Sequence, residues 1–404
     1  MTTSLTLTLD EACEFIVDCL HKTAPFQESG YPMIRTPNIG KGRLILDGVF
    51  RVSEETYETW TQRAVPEPGD LILAREAPAG NVALVTEGQR VCLGQRTVHL
   101  RPKSAIVDGG YLCNLLLTPE YQGKILAGET GATARHVNLK DIRRLKLENL
   151  PRIAVQRRIA DILSGYDDLI ENNRRRMALL EESARQLYQE WFVRLRFPGH
   201  EHTRITNGVP EGWEQRSMEE VAEFRLGKML DEQKNKGDLL PYLANVNVRW
   251  GKIDLENLRE MRFEESELDA FGLKFGDIVM CEGGEPGRCA IWKNQLPGMM
   301  IQKAIHRIRS RQNVNHVYLY YSLRHKGESG QLATLFTGAT IKHLPREKLA
   351  LVKIAIPPSR LTDLFAEHVG PIENQIQVLE AANRRVSEAR DLLLPRLMSG
   401  EVAV

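Results

Sequence analysis

The side chains of this chain that could do chemistry recur at matching places in its two halves. Asn38, Lys41 and Arg43 lie in one turn, and Asn245, Asn247 and Arg249 lie in its counterpart. Arg75 follows a strand-like run where the second half has Glu282. Gln95-Arg96 matches Gln302-Lys303, and Arg135-His136 matches Lys342-His343. Arg and Lys can take guanine edges or phosphates, and Asn and Gln can take adenine. Taken singly, each of these residues reads better as a solvated surface residue. As a set at equivalent turns they are candidate nucleic-acid contacts, and positions that differ between the halves are expected if two half-sites differ.

Patterns for bond-making chemistry fall short. An amino-methyltransferase needs an Asn/Asp-Pro-Pro-aromatic loop around the flipped base, and the single Pro-Pro, Ile356-Pro357-Pro358-Ser359, has the wrong neighbours. The glycine-rich run Cys281 to Gly287 follows a strand, but Pro286 and the next strand-like run read as a hairpin turn, and the Lys-Ser/Thr of a phosphate loop is missing. Pro210-Glu211 with Glu232-Gln233-Lys234 imitates a metal-nuclease spacing. The first half has no copy of it, so chance explains it better. The six cysteines, Cys13, Cys19, Cys92, Cys113, Cys281 and Cys289, are scattered without a C-x-x-C pair, as expected of buried reduced thiols.

The elements that position the polar residues repeat at a shift of 207 residues. Asn38 falls on Asn245, Gly69-Asp70-Leu71-Ile72 on Gly276-Asp277-Ile278-Val279, Gly80 on Gly287, Gly131-Ala132-Thr133 on Gly338-Ala339-Thr340, and His136 on His343. Each copy is followed by a heptad helix. In the first, Ile159, Leu163, Tyr166, Ile170, Asn173, Met177, Leu180, Ala184, Leu187 and Trp191 step by four and three. At a shift of 202 these become Leu361, Phe365, His368, Ile372, Gln375, Leu379, Ala382, Val386, Ala389 and Leu393, which places Asn173 and Gln375 as amides in the seam or at a wet edge of it. The run Arg174-Arg175-Arg176 reads as a solvated helix face. Trp191 continues the seam, whereas Phe192 falls off it and could anchor a partner. From Ile159 to Trp191 the rod is roughly 48 Å long, enough to hold two readers about one DNA turn apart on one side of a duplex.

Length and composition set the frame. At 404 residues, two or three domains with full cores are expected. No apolar run of membrane-spanning length and no secretory signal is seen, so a cytoplasmic location is expected. A net charge of +1 argues against a polycation that coats nucleic acid but not against a local basic face. The divisions read from the pattern are residues 1–150 and 213–356 as mixed α/β units, 151–197 and 357–404 as helices, and 198–212 as a linker. The fold class is α/β (α+β), a unit plus a rod stated twice, with a built-in pseudo-two-fold.

Three runs are specific enough to name a resemblance: QRRIADILSGYDDLIENN at 156–173, LYQEWFVRLRFPGH at 187–200 and VPEGWE at 209–214. Together with the duplicated Gly-Asp strand and Gly-Ala-Thr turn, they resemble the DNA specificity subunit of Type I restriction-modification enzymes over the whole chain. The resemblance implies two target-recognition domains, each reading half of a bipartite asymmetric site. It implies an antiparallel helix pair that sets the spacer and docks two methyltransferase subunits using S-adenosylmethionine on adenine. It also implies a separate motor-nuclease subunit using ATP and magnesium, with no catalysis and no cofactor in this chain itself. Ser359-Arg360 stands where a Glu-Gln pair is often seen, which touches the detail of the second docking site. Two other classes fit the layout: a coiled-coil scaffold whose domains bind protein, and a self-sufficient methyltransferase or nuclease, which the missing catalytic motifs disfavour.

Overall fold

The computed structural model describes residues 5–127, 129–130, 136–231 and 235–404. The chain divides into two units, Met1–Arg174 with Glu380–Val404 and Arg175–Leu379, so each long helix contributes to both.

The first unit opens with a Thr-x-x-Glu capping box. The Thr8 amide donates to the Glu11 carboxylate at 2.7 Å, and the Glu11 amide donates back to the Thr8 hydroxyl at 3.3 Å. This turns the strand Leu5–Thr8, paired with Lys146–Leu150, into Cys13–Asp18. That strand edges a sheet of order Cys13–Asp18, Thr97–Pro102, Leu71–Ala74, Val82–Leu84, Gly42–Arg43. Tyr31–Ile34 lies between Arg51–Val52 and Cys92–Leu93 in a second small sheet. One core joins Leu71, Leu73, Val98 and Leu100 to Leu112, Leu116, Ile159 and Leu163.

The second unit repeats this plan with a four-stranded main sheet, and Val248–Arg249 pairs with Lys252–Ile253 instead of joining it. Ser217 and Glu220 form the same capping box, with the Ser217 amide donating to Glu220 at 2.6 Å. The main sheet runs Ala222–Leu226, Ile305–Ser310, Ile278–Cys281, Cys289–Ile291, and Asp238–Leu243 lies between Arg259–Phe263 and Met300–Ile301. The glycine-rich run after Cys281 is the hairpin turn that Pro286 implied, with Met280 facing Cys289 across it. All six cysteines are buried and free of disulfides, and burial pushes the Cys13, Cys92 and Cys113 thiols up to about 12.

The Gly-Asp motif has a structural purpose in both units. Gly69 and Gly276 carry φ of 96° and 85°, which an L side chain rarely adopts. The next residue is a buried aspartate. Asp70 takes Arg101 bidentately at 2.9 and 2.8 Å, and Asp277 takes Arg309 at 2.7 and 2.7 Å. Each aspartate also accepts the amide three residues before it, Glu67 or Lys274. Such a fork satisfies a buried carboxylate and pins the central strand to its neighbour.

The long helices are Ile153–Tyr188 and Ser359–Met398. Within the first unit they run antiparallel: the Asn173 amide donates to Asn383 at 2.8 Å, the Asn383 amide donates to the Ile170 carbonyl at 3.2 Å, and Asp167 pairs with Arg390. Within the second unit Trp191 meets Phe365 and His368. In the first helix Ile159, Leu163, Ile170, Asn173, Ala184 and Trp191 are buried, and Met177, Leu180 and Leu187 are half-buried.

The second seam departs from the sequence expectation. Phe365, Val369, Leu379 and Leu397 are buried, with Ile372, Ile376, Asn383, Val386, Arg390 and Leu393 half-buried. Gln375, His368 and Ala389 are exposed, Leu361 is half-buried at the helix start, and Asn383 rather than Gln375 supplies the second amide. The matching shift is therefore 206, not 202: Ile159 corresponds to Phe365, Leu163 to Val369 and Trp191 to Leu397. A four-residue slip along a four-three repeat keeps every second apolar position, so periodicity alone could not choose between them. The strand–proline junctions choose, because Leu150-Pro151 and Ile356-Pro357 stand in register with their sheets.

Phe192 is also corrected. It is 8% exposed and packs against Trp213, Tyr318 and Phe365, so it is core and not a partner anchor. The helix widens into a π turn over Gln189–Val193, which rotates Phe192 inward with Trp191.

Candidate nucleic-acid interface

In each unit three loops converge on the residue that ends the central strand. Around Arg75, its amide donates to the Arg96 carbonyl at 2.9 Å, its carbonyl accepts the Val137 amide at 3.0 Å, and its Nε donates to the Val137 carbonyl at 2.9 Å. Around Glu282, its amide donates to the Ala304 carbonyl at 2.8 Å, its carbonyl accepts the Leu344 amide at 2.7 Å, and its carboxylate lies 3.1 Å from His343 Nδ1. The backbone frame is the same and the side chain at its centre reverses charge.

Glycines let the loops close. A Cβ on Gly283 would lie 3.0 Å from the His343 ring, and one on Gly284 would lie 2.8 Å from Asn245 Nδ2. Hairpin glycines Gly80 and Gly287 take φ of 86° and 88° and return their amides to Ala74 and Cys281.

The frame also corrects two pairings. The Asn38 side chain accepts the Arg35 amide at 3.1 Å and donates to the Ile45 carbonyl at 3.2 Å. Asn247 does the same with Ala244 and Asp254, at 3.0 and 3.2 Å. Asn38 therefore corresponds to Asn247, not to Asn245, and both amides are engaged inside their own turns. Likewise the Gly94 amide donates to the Ile34 carbonyl as the Gln302 amide does to Leu243, so Gln95-Arg96 corresponds to Lys303-Ala304. One- and two-residue length differences between the copies produce these slips.

The remaining candidates divide by exposure. Lys41, Gln95, Arg96, Arg249, Lys303 and Lys342 are exposed. Arg96 pairs with Glu76 at 3.0 Å. Asn245, Gln302, His136 and His343 are half-buried. Arg43 is tied to Asp168 on the first long helix. Arg135 and the first Gly-Ala-Thr turn lie outside the described residues, as does Glu232-Gln233-Lys234. Arg174, Arg175 and Arg176 are exposed. Among the described residues no cluster of three His, Cys, Asp or Glu is placed to hold a metal, and no helix is long and apolar enough to cross a membrane.

Sequence reasoning passed over Arg288 and Arg35. Arg288 is buried beside the second hairpin and donates to the Asn245 carbonyl at 2.8 Å, as the Asn81 amide in the first hairpin does to Ile39 at 2.9 Å. Its place directly after the repeated Gly287 was the available signal. Arg35 lies with its guanidinium 4.8 Å above the Phe50 ring, and nothing in the local pattern announced that contact.

This duplicated frame agrees with what the chain resembles. The family model for the Type I restriction modification DNA specificity domain matches twice, at residues 8–182 and 210–380. The Type I restriction enzyme MjaVIII specificity subunit of Methanocaldococcus jannaschii is 25% identical over 387 residues, 93% of this chain and 87% of that protein. The HindI specificity subunit of Haemophilus influenzae is 21% identical over 410 residues, covering 83% of this chain and 86% of its own length. The crystal structure of a Type-I restriction-modification S subunit from M. genitalium shares the fold with a TM-score of 0.57 at 14% identity, covering 98% of this chain and 96% of that one. With two specificity domains filling most of its length, the chain belongs to the Type I restriction-modification DNA specificity family and is a specificity subunit of such a system.

Proposed function

We propose that the first unit reads one half of a bipartite, asymmetric duplex site and the second unit reads the other. The observation that carries this is the repeated three-loop frame holding unlike residues: Arg75 against Glu282, and Arg96 against Ala304. A fixed scaffold with variable side chains at one place is what two different base sequences require. A scaffold for two identical protein partners would keep those residues alike, which disfavours the protein-interaction reading.

The chain supplies binding and not bond-making. It works with DNA and with the other restriction-modification subunits. Two methyltransferase subunits seated on the helices would methylate adenine N6 with S-adenosylmethionine, and motor-nuclease subunits would use ATP and magnesium, all in the cytoplasm. At a net charge of +1, part of the phosphate neutralisation falls to those partners.

Domain exchange tests the reading. Residues 5–150 are replaced by the matching segment of a relative, and methylated adenines are mapped in host DNA. One half of the methylated motif is expected to change while the other half stays. A motif that keeps both halves, or changes in both, rules out one half per unit.

A further inference from the structure

The first unit carries an exposed aromatic pair that the loop frame does not account for. Phe26 and Phe50 stack at 4.5 Å between centroids and 20° between planes, yet remain 43% and 46% exposed. The Arg35 guanidinium lies over Phe50, adding a third planar group. Arg35 in turn packs on the Gly94 turn: a Cβ on Gly94 would lie 2.8 Å from Arg35 Cγ. Gln95 and the exposed Arg96 follow directly, so the stack is continuous with the three-loop frame around Arg75.

We propose that Phe26, Phe50 and Arg35 form a base-stacking contact to the first half-site, made by the first unit alone. Aromatic faces and guanidinium planes stack on unstacked bases, and apolar side chains wedge into base steps. The positive charge of Arg35 faces this patch, which suits a polyanion. The second unit gives the reason to choose DNA over a protein partner. Met33 pairs with Phe50 where Tyr242 pairs with Arg259, so an exposed arginine occupies the position of Phe50. A docking surface for the same partner on both units would repeat. A surface facing different bases would not, and both an aromatic ring and an arginine bind nucleic acid, by stacking or through phosphate.

The inference rests on the proposed DNA-reading function, and the test separates the two. The full chain, assembled with its methyltransferase subunits, is titrated against duplexes carrying 2-aminopurine at successive positions of the first half-site. For the unaltered complex a fluorescence rise at one step is expected. In Phe26→Ala/Phe50→Ala that rise should vanish and affinity should fall about ten- to a hundred-fold, with the salt slope unchanged because no phosphate contact is lost. Phe50→Trp should retain the affinity, and covers the case in which the double alanine variant folds poorly. Absence of sequence-preferring binding by the unaltered complex would overturn the DNA-reading function itself. Normal binding with no 2-aminopurine signal, or unchanged affinity in the double variant, would overturn the stacking contact alone. So would a double variant that folds but no longer assembles with the methyltransferase subunits, since the patch would then be a subunit contact.

Discussion

The two units share a backbone plan but fill it differently. In the first, Tyr111, Ile159 and Leu397 border a groove of about 720 Å³. In the second, the corresponding Tyr318, Phe365 and Trp191 close around Phe192 in a run of ring contacts, with Phe192 only 4.7 Å from Tyr318 and 5.1 Å from Phe365. Their charged centres differ as well. Asp70 holds both His99, at 2.6 Å, and Arg101, whereas Asp277 holds Arg309 while the neighbouring buried Arg307 turns to Glu223 and the Asp269 carbonyl. The same fold thus tolerates different packing as long as the Gly-Asp strand, the capping box and the loop frame persist.

The sharpest way to break this contrast is at the corresponding seam positions. Phe365→Ala should destabilise the second unit by about 4 kcal/mol, because a rigid ring cluster cannot collapse around the hole. Ile159→Ala should cost the first unit about 2 kcal/mol, since its site already borders open space. Urea denaturation followed by hydrogen exchange on peptides of each unit reads both, and equal losses would remove the packing difference.

The helix pair offers a second, smaller effect. Asn173 and Asn383 bond to each other in the first unit, whereas their counterparts at a shift of 206 are Leu379 and, for Asn383, Met177. Asn173→Leu alone should cost about 2 kcal/mol by stranding the Asn383 carbonyl oxygen. Replacing both asparagines by leucine should recover most of that. A double-mutant cycle that shows additivity would mean the pair is not coupled.

The mildest difference concerns acid. Burial holds the His306 imidazole below its ordinary 6.5, beside the Leu344 carbonyl, and burial lowers His316 and His325 too. A histidine that resists protonation when folded stabilises fully above 6.5 and loses that stabilisation as pH falls below it. In the first unit burial alone would raise Asp70, but the bonds from His99, Arg101 and the Glu67 amide outweigh it and hold the carboxyl below its ordinary 3.8. That stabilisation persists until pH falls through the lowered value. Hydrogen exchange between pH 7 and 5 should therefore show the second unit losing protection first, and His306→Asn should narrow the gap. Earlier opening of the first unit would refute the assignment.

Much of this architecture was legible in the residues. Thr8-x-x-Glu11 and Ser217-x-x-Glu220 were passed over in the sequence although they carry a local signal, because a capping box is a bond pattern within four residues. Gly69-Asp70 and Gly276-Asp277 repeat because a positive φ and a buried carboxylate constrain residue type tightly. The duplication, the glycine hairpins and the first helical seam were visible for the same reason: each rests on contacts within a few residues or on a strict period.

The residues alone therefore carry the repeat, its family and the kinds of residue at its turns. The correspondences between the copies come from the folded chain. Asn38 matches Asn247, Lys303-Ala304 stands where Gln95-Arg96 does, and the second seam runs through Asn383 instead of Gln375. Loops can lengthen by a residue without breaking a sheet, and a heptad slipped by four still looks apolar, so spacing in the chain leaves these choices open. They are closed by hydrogen bonds and packing between residues far apart in sequence, which a linear pattern does not record.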